Sequence, residues 1–218
     1  MNDDRTEQLD AGELGSWLRG MRSALAGARD ADVPCDGCVA CCTSAQFVHV
    51  APDEQAALAS IPAELLVPAP GMPEGHLVMG YDERGRCPML GDHGCTIYEH
   101  RPQTCRTYDC RVFAATGVGP GLSAVGDRVR RWRFRLPTVD DERRAAALRA
   151  ADAFVAENSG TLLAERGPTT TTQVALLAVR AHEAFLAGEA PSVEEVAKHL
   201  TRRSHDLGGE GGAAAPIG

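Results

Sequence analysis

The sequence predicts an α+β chain that is mostly helical, and three observations lead there. All eight cysteines of the 218 residues fall between Cys35 and Cys110. That span is broken by Gly and Pro turns and holds only short apolar runs, which suit short strands better than long helices. From Thr138 onward the chain reads as a series of helices opened by capping residues. The expected architecture is a small, irregular, cysteine-rich core with short strands, flanked by an N-terminal helix and a C-terminal helical region. The boundaries read as 1–30 for the first helix, 31–137 for the cysteine-rich domain, 138–205 for the helical region and 206–218 for a tail of disordered composition.

Each element has its own signal. Leu14, Trp17, Leu18, Met21 and Leu25 recur at helical spacing and predict an amphipathic helix from about Glu7 to Arg29, weakened by Gly12, Gly15 and Gly20. Val33 to Ser44 reads as a tight cysteine loop. Phe47 to Val50 reads as a strand, and Pro52 to Ile61 as a short helix with Pro at an early position. The proline-rich stretch from Pro62 to Gly75 reads as a loop. His76 to Tyr81 and Arg86 to Leu90 read as two strands joined by the turn Asp82-Glu83-Arg84-Gly85. A second turn follows at Gly91-Asp92-His93-Gly94. Gly117, Gly119, Pro120 and Gly121 mark a loop. Arg128 to Leu136 alternates, with Trp132, Phe134 and Leu136 on one side and Arg131, Arg133 and Arg135 on the other, which is a strand pattern. Thr138 with Asp141 caps a helix to about Asn158. A second helix spans about Thr171 to Ala187 and stops at Gly188. Ser192 with Glu195 forms a capping box for a third, through about Arg203.

Composition excludes several classes. Apolar residues make up 44% and charged residues 24%, as in an ordinary globular protein, and aromatics only 5%, so the core must rest on Leu, Val and Ala. A net charge of −8 argues against a general affinity for nucleic acid or for an anionic membrane. No apolar run is long enough to span a membrane. The N-terminus Met1-Asn2-Asp3-Asp4-Arg5 has neither a basic nor an apolar signal region, which predicts a cytoplasmic chain. There thiols stay reduced, so clustered cysteines point to metal or catalysis before disulfides. Cys41 and Cys42 are adjacent, and alpha carbons about 3.8 Å apart fall below the usual disulfide range of about 4.4–6.8 Å.

The cysteines form two groups. The first is Cys35-x2-Cys38-x2-Cys41-Cys42. The second is Cys87-Pro88, Cys95, Cys105 and Cys110. A C-x2-C loop lets two thiolates converge on one ion, and thiolates select zinc, copper(I) or iron–sulfur clusters. Two overlapping x2 spacings, which place three sulfurs in one loop, followed by a distant Cys-Pro resemble the ferredoxin arrangement of an iron–sulfur cluster, with Cys87 as the candidate distant ligand. Tetrahedral zinc held by four Cys or Cys/His ligands is the alternative. All eight residues, Cys35, Cys38, Cys41, Cys42, Cys87, Cys95, Cys105 and Cys110, are candidate ligands. Eight exceeds one four-ligand site, so two sites, or one site with further thiols, are both open. His93 beside Cys95 is the best histidine candidate for mixed ligation, although a polar turn residue is the simpler reading. His49, His76 and His100 are weaker candidates still. His182, His199 and His205 read as solvated.

The full pattern adds Leu90, Ile97-Tyr98, Arg101-Pro102, Arg106 and Tyr108 between the ligands. This combination resembles the CxxCxxCC family, the YkgJ-type zinc- or iron-chelating cysteine-cluster proteins, over roughly residues 30–115. The resemblance implies a metal-chelating domain with zinc or iron as its cofactor and a metal ion as its partner. The family includes relatives of the flagellin lysine N-methylase. On that reading the cluster is the centre of a protein-modifying enzyme, a protein is the substrate and S-adenosylmethionine the methyl donor. A thiol redox or metal-trafficking role is the third reading. Arg101 and Arg106 would either bind an anionic group or offset thiolate charge, since four thiolates around one divalent ion leave about −2. Arg128, Arg130, Arg131, Arg133 and Arg135 make a basic strand. Its aromatics alternate to the opposite face, so a solvated basic face paired with local acids is expected rather than a nucleic-acid platform.

Overall fold

The structure is a computed structural model, and it describes residues 7–31, 33–34, 37–119, 123–162, 170–188 and 190–201. In chain order the elements are β1 (Leu9–Glu13), α1 (Leu14–Leu25), β2 (Val48–Val50), α2 (Gln55–Ser60), β3 (Leu66–Pro68), β4 (Leu77–Met79), β5 (Leu90–Gly91) and β6 (Gly94–Cys95). They continue with α3 (Gln103–Thr107), α4 (Arg111–Thr116), α5 (Ala124–Val129), β7 (Trp132–Arg135), α6 (Val139–Glu157), α7 (Ser159–Leu162), α8 (Thr171–Ala181) and α9 (Val193–Thr201). This is the mostly helical α+β class that the sequence predicts. The chain divides into two compact units. One is Arg29–Tyr108 with Ser123–Val125; the other contains the residues up to Ala28, those from Asp109 and those from Gly126 onward.

The helical unit is built on α6, α8 and α9. Ala145, Leu148, Ala151 and Val155 recur every three or four residues along α6 and are all buried. Small side chains let helices approach closely, and Ala151 and Val155 pack with Leu177, Ala178, Ala181, Val196 and Leu200. The predicted caps form. Thr138 accepts a hydrogen bond from the Asp141 backbone N–H, and Ser192 exchanges bonds with Glu195. The expected tail 206–218 and the expected helix end at Arg203 lie outside the described residues.

Four sequence expectations are corrected. Leu9–Glu13 is not the first part of a helix but a strand, paired in parallel with β7 through Leu9↔Trp132 and Glu13↔Arg135. Gly12 takes a φ of 86°, a left-handed backbone that interrupts the pairing and cannot lie inside a right-handed helix. The helix therefore starts at Leu14. The strands expected at His76–Tyr81 and Arg86–Leu90 do not pair with each other. Instead β4 is the centre of a three-stranded antiparallel sheet in the order β2-β4-β3, and β3 comes from the stretch read as loop. Pro68 is tolerated there because β3 is an edge strand. The turn itself forms as read, with the Asp82 carboxylate accepting the N–H groups of Arg84 and Arg86. The basic strand begins at Trp132 rather than Arg128, because Val125 and Val129, four residues apart and both buried, belong to α5. His182 is not solvated: it is 2% exposed, with Nδ1 2.7 Å from the carbonyl of Val179.

The other unit is irregular. Its core is Val48, Val50, Ala57, Ile61, Met79 and Met89. Along β2 and β4 the alternation sends Val48, Val50 and Met79 inward, and their neighbours His49 and Val78 to the opposite face. Cys87, Cys95 and Cys105 pack on the inner side, against that core.

Candidate metal centre

The thiols arrive on four short segments. Cys41 and Cys42 open a single helical turn, Cys41–Thr43, whose shape is fixed by the Thr43 and Ser44 hydroxyls donating to the Ala40 carbonyl at 3.2 and 2.7 Å. That geometry leaves the two sulfurs 3.9 Å apart. The Cys87 N–H donates to the Cys42 carbonyl at 2.7 Å, which ties the two sequence groups together backbone to backbone. Cys95 ends the β5–β6 hairpin, facing Leu90 across it. Cys105 lies in the middle of α3, whose N-terminus is set by Pro102 and by Glu54 accepting the Gln103 N–H.

Electrostatics show that these thiols share one neighbourhood. Burial pushes the Cys105 thiol up to about 12, helped by the charges of Cys41, Cys87 and Cys95, while the Arg101 guanidinium opposes the rise. Burial also raises Cys87, and the charges of Cys95 and Cys41 add to it, while the Met89 backbone amide bonding to its sulfur works the other way. Cys41 and Cys42 share a proton. The bond from Cys42 lowers Cys41 to about 7, and the same bond raises Cys42, with burial and the charges of Cys41, Cys87 and Cys105 adding to the rise. Five thiols, Cys41, Cys42, Cys87, Cys95 and Cys105, are thus brought together, and each additional thiolate makes the next harder to form.

Cys38 is half-buried in the loop before Cys41, and Cys35 lies outside the described residues. Cys110 belongs to the helical unit, where its sulfur accepts the Trp132 indole N–H at 3.3 Å. The seven described cysteines form no disulfide with one another. His93 is exposed in the β5–β6 turn, and His100 is exposed as well. Arg101 lies over the Tyr98 ring, 3.9 Å from its centroid, and also donates to the Tyr98 carbonyl. Arg106 bonds Gln103 and reaches Asp30 at 3.5 Å. The basic strand has the expected solvated face: Arg135 reaches Asp10 and Glu13 at 3.5 and 3.9 Å, while Trp132 is buried.

The donor set fits a thiophilic ion. Five soft sulfurs, two of them already receiving backbone amides, match the preference of zinc and iron for thiolate. A divalent charge among them would favour the thiolates of Cys87 and Cys105, which burial first and the neighbouring thiolates second now disfavour. Among the described residues no group of three His, Cys, Asp or Glu side chains is already arranged around one ion, so binding would have to draw the sulfurs inward.

Comparison with known families agrees with this chemistry. Residues 34–118 match the model of the CxxCxxCC family, described as a "putative zinc- or iron-chelating domain". The match covers the cysteine-rich segment and stops short of the helical region that follows it. The relation to flagellin lysine N-methylase rests on the motif resemblance alone. Comparison with curated proteins and with solved structures finds no match. No helix among the described residues is long and apolar enough to cross a membrane.

Sequence reasoning missed two features. Asp109, inside the cysteine motif, is a buried structural carboxylate of the helical unit. His49 and His76 meet across the sheet, with Nε2 and Nδ1 2.9 Å apart. Nothing local announces either. Alternation along Phe47 to Val50 does put His49 on the side opposite Val48 and Val50, which was the one available hint.

Proposed function

We propose that the protein binds one zinc or iron ion through thiolates drawn from Cys41, Cys42, Cys87, Cys95 and Cys105, with Cys35 and Cys38 as further donors from the same loop. The observation that supports this reading is that these five thiols, on four short segments, lie near enough for their charges to act on one another, with Cys87, Cys95 and Cys105 against one small core. A bound ion would cross-link these segments. Metal binding would then add to the stability of this unit. Arg101, which already moderates Cys105, offsets part of the excess negative charge.

The test is metal analysis of anaerobically purified, untagged protein together with its absorbance spectrum. Stoichiometric zinc or iron is expected, and Cys42→Ser and Cys105→Ser should each release it. A broad visible band would identify an iron–sulfur cluster, and a colourless zinc protein a tetrahedral ion. A folded protein that purifies without metal and takes up neither ion overturns the reading.

The exposure of Cys41 favours a second reading, a protein that hands its metal on, because an exposed sulfur is open to an attacking thiol. Transfer of zinc to a competing dithiol faster than unassisted dissociation would support it. A protein-modifying activity rests on the family resemblance alone, and no residue is assigned to it.

A further inference from the structure

We infer that His49 and His76 form a second metal site, for a borderline divalent cation of the zinc class, on the face of the β2-β4-β3 sheet opposite the thiols.

The placement comes from the register. His49 faces Val78 on β4, and Val78 faces Val67 on β3. His76 stands immediately before β4, diagonal to His49 and on the same face, since it lies two residues from Val78. Val48, Val50 and Met79 occupy the inner face with the core that Cys87, Cys95 and Cys105 pack against. The imidazoles are therefore separated from the thiols by the sheet itself, and the two sites do not share ligands.

The geometry is close to that of a chelating pair. The two rings are nearly parallel, with planes 17° apart and centroids 5.0 Å apart, and their facing nitrogens are 2.9 Å apart. Two nitrogens on one tetrahedral zinc, each about 2.0–2.1 Å from it, stand about 3.3 Å apart. The nitrogens need to part by only about 0.4 Å and to turn toward a common point. One ring now donates N–H to the other. For both lone pairs to face the ion, the donor ring moves its proton to its far nitrogen, and no proton leaves the neutral pair.

The surroundings favour imidazole over imidazolium. His49 is half-buried, and burial with the neighbouring His76 holds its pKa below the ordinary value, so a lone pair is available at neutral pH. The Glu54 carboxylate is near enough for its charge to act on His49, and it is held in place by the N–H groups of Ala51 and Gln103. It supplies negative potential beside the site. Two imidazoles leave the remaining coordination positions to water, so this site binds more weakly than a thiolate centre.

The test is a zinc titration of the full-length, untagged protein, with its thiol site first saturated with zinc and excess ion removed. One further equivalent of zinc is expected, and the imidazole nitrogen resonances of His49 and His76 should each settle into a single tautomer as it binds. His49→Gln and His76→Gln should each weaken that equivalent by more than about tenfold, the loss seen when even an outer-shell partner is removed. His93→Gln, an exposed control, should leave it unchanged. No further zinc, or a further equivalent indifferent to both substitutions, overturns the inference. The resonances are read in the wild-type protein, so the result stands if either variant fails to fold. If the thiols take no metal, the imidazole equivalent is still counted by itself.

Discussion

Asp109 Oδ2 accepts the indole N–H of Trp17 at 2.8 Å, and the same oxygen accepts the Arg111 guanidinium at 2.8 Å. Both carboxylate oxygens also take the Arg111 Nε–H, and Oδ1 takes the Arg111 backbone N–H. Asp109 is 4% exposed and Arg111 8%. Arg111 reaches on to the Ala11 carbonyl in β1. One carboxylate thus joins α1, α4 and β1 of the helical unit. Removing one partner of a buried pair strands the other charge, which costs about 3–5 kcal/mol. Asp109→Ala should destabilise this unit by that amount in urea unfolding followed by tryptophan fluorescence. Trp17→Phe keeps the pair and loses a single bond to a charged acceptor, so about 1.5–3 kcal/mol is expected.

Two glycines of α1 should respond to alanine with opposite signs. The Gly15 N–H donates to Asp141 Oδ1 at 3.0 Å, in place of a side-chain cap at Glu13. A Cβ at Gly15 would stand 2.6 Å from that oxygen and 3.1 Å from Arg144. Asp141 is itself held by the Thr138 hydroxyl at 2.6 Å, so it cannot simply move aside. Gly15→Ala should therefore destabilise by about 1–3 kcal/mol, despite alanine's better helix propensity. Gly20 has nothing within 4 Å of its would-be Cβ, and Gly20→Ala should stabilise by about 0.5–1 kcal/mol. Thermal and urea midpoints of the two variants check the sign.

These residues show what the sequence could and could not reveal. Thr138 with Asp141 and Ser192 with Glu195 were legible because capping is a three-residue matter. The C-x2-C spacings and the clustering of thiols were legible for the same reason. The strand at Leu9–Glu13 was not, because its partner lies more than a hundred residues away and its apolar residues also fit a helix. The partners of Asp109 and the meeting of His49 with His76 depend on pairings that no local pattern encodes. Cys110 illustrates both sides. Its spacing marks it as part of the motif, but that spacing does not tell of the Trp132 indole on its sulfur.

Asp152 on α6 should make the helical unit less stable as pH rises. Its Oδ1 is buried without a hydrogen-bond partner among the described residues, and burial raises its pKa to about 6. In the unfolded chain the group titrates near its ordinary value of 3.8. Between those two values the folded state holds more protons, so stability from this group is present at the acid end and lost as pH rises through about 6. Asp152→Asn removes that dependence and should be more stable than the wild type at pH values above it. Urea midpoints of the two proteins, measured on either side of this window, should converge in acid and separate toward neutrality. The same gap at every pH would exclude the titration as its cause.

The thiols give the metal-free protein a pH profile opposite to that of the loaded form. In the absence of metal, burial pushes the folded-state Cys105 thiol from its ordinary 9.0 up to about 12, and raises Cys87 as well. Raised acids favour folding while protonated, so their contribution is complete below pH 9 and is lost as pH climbs toward 12. Cys41, lowered to about 7 by the bond from Cys42, forms its thiolate near neutrality. Iodoacetamide should modify Cys41 first, half-maximally near pH 7, and Cys105 only under alkaline conditions, as read by mass spectrometry across pH. A bound ion needs every ligand deprotonated, so acid releases it by returning protons to the sulfurs. Loading with zinc should therefore suppress alkylation of Cys41 at neutral pH and restore it on acidification followed by return to neutrality with a chelator. Equal alkylation of Cys41 with and without zinc would show that this thiol stays outside the metal's ligand set.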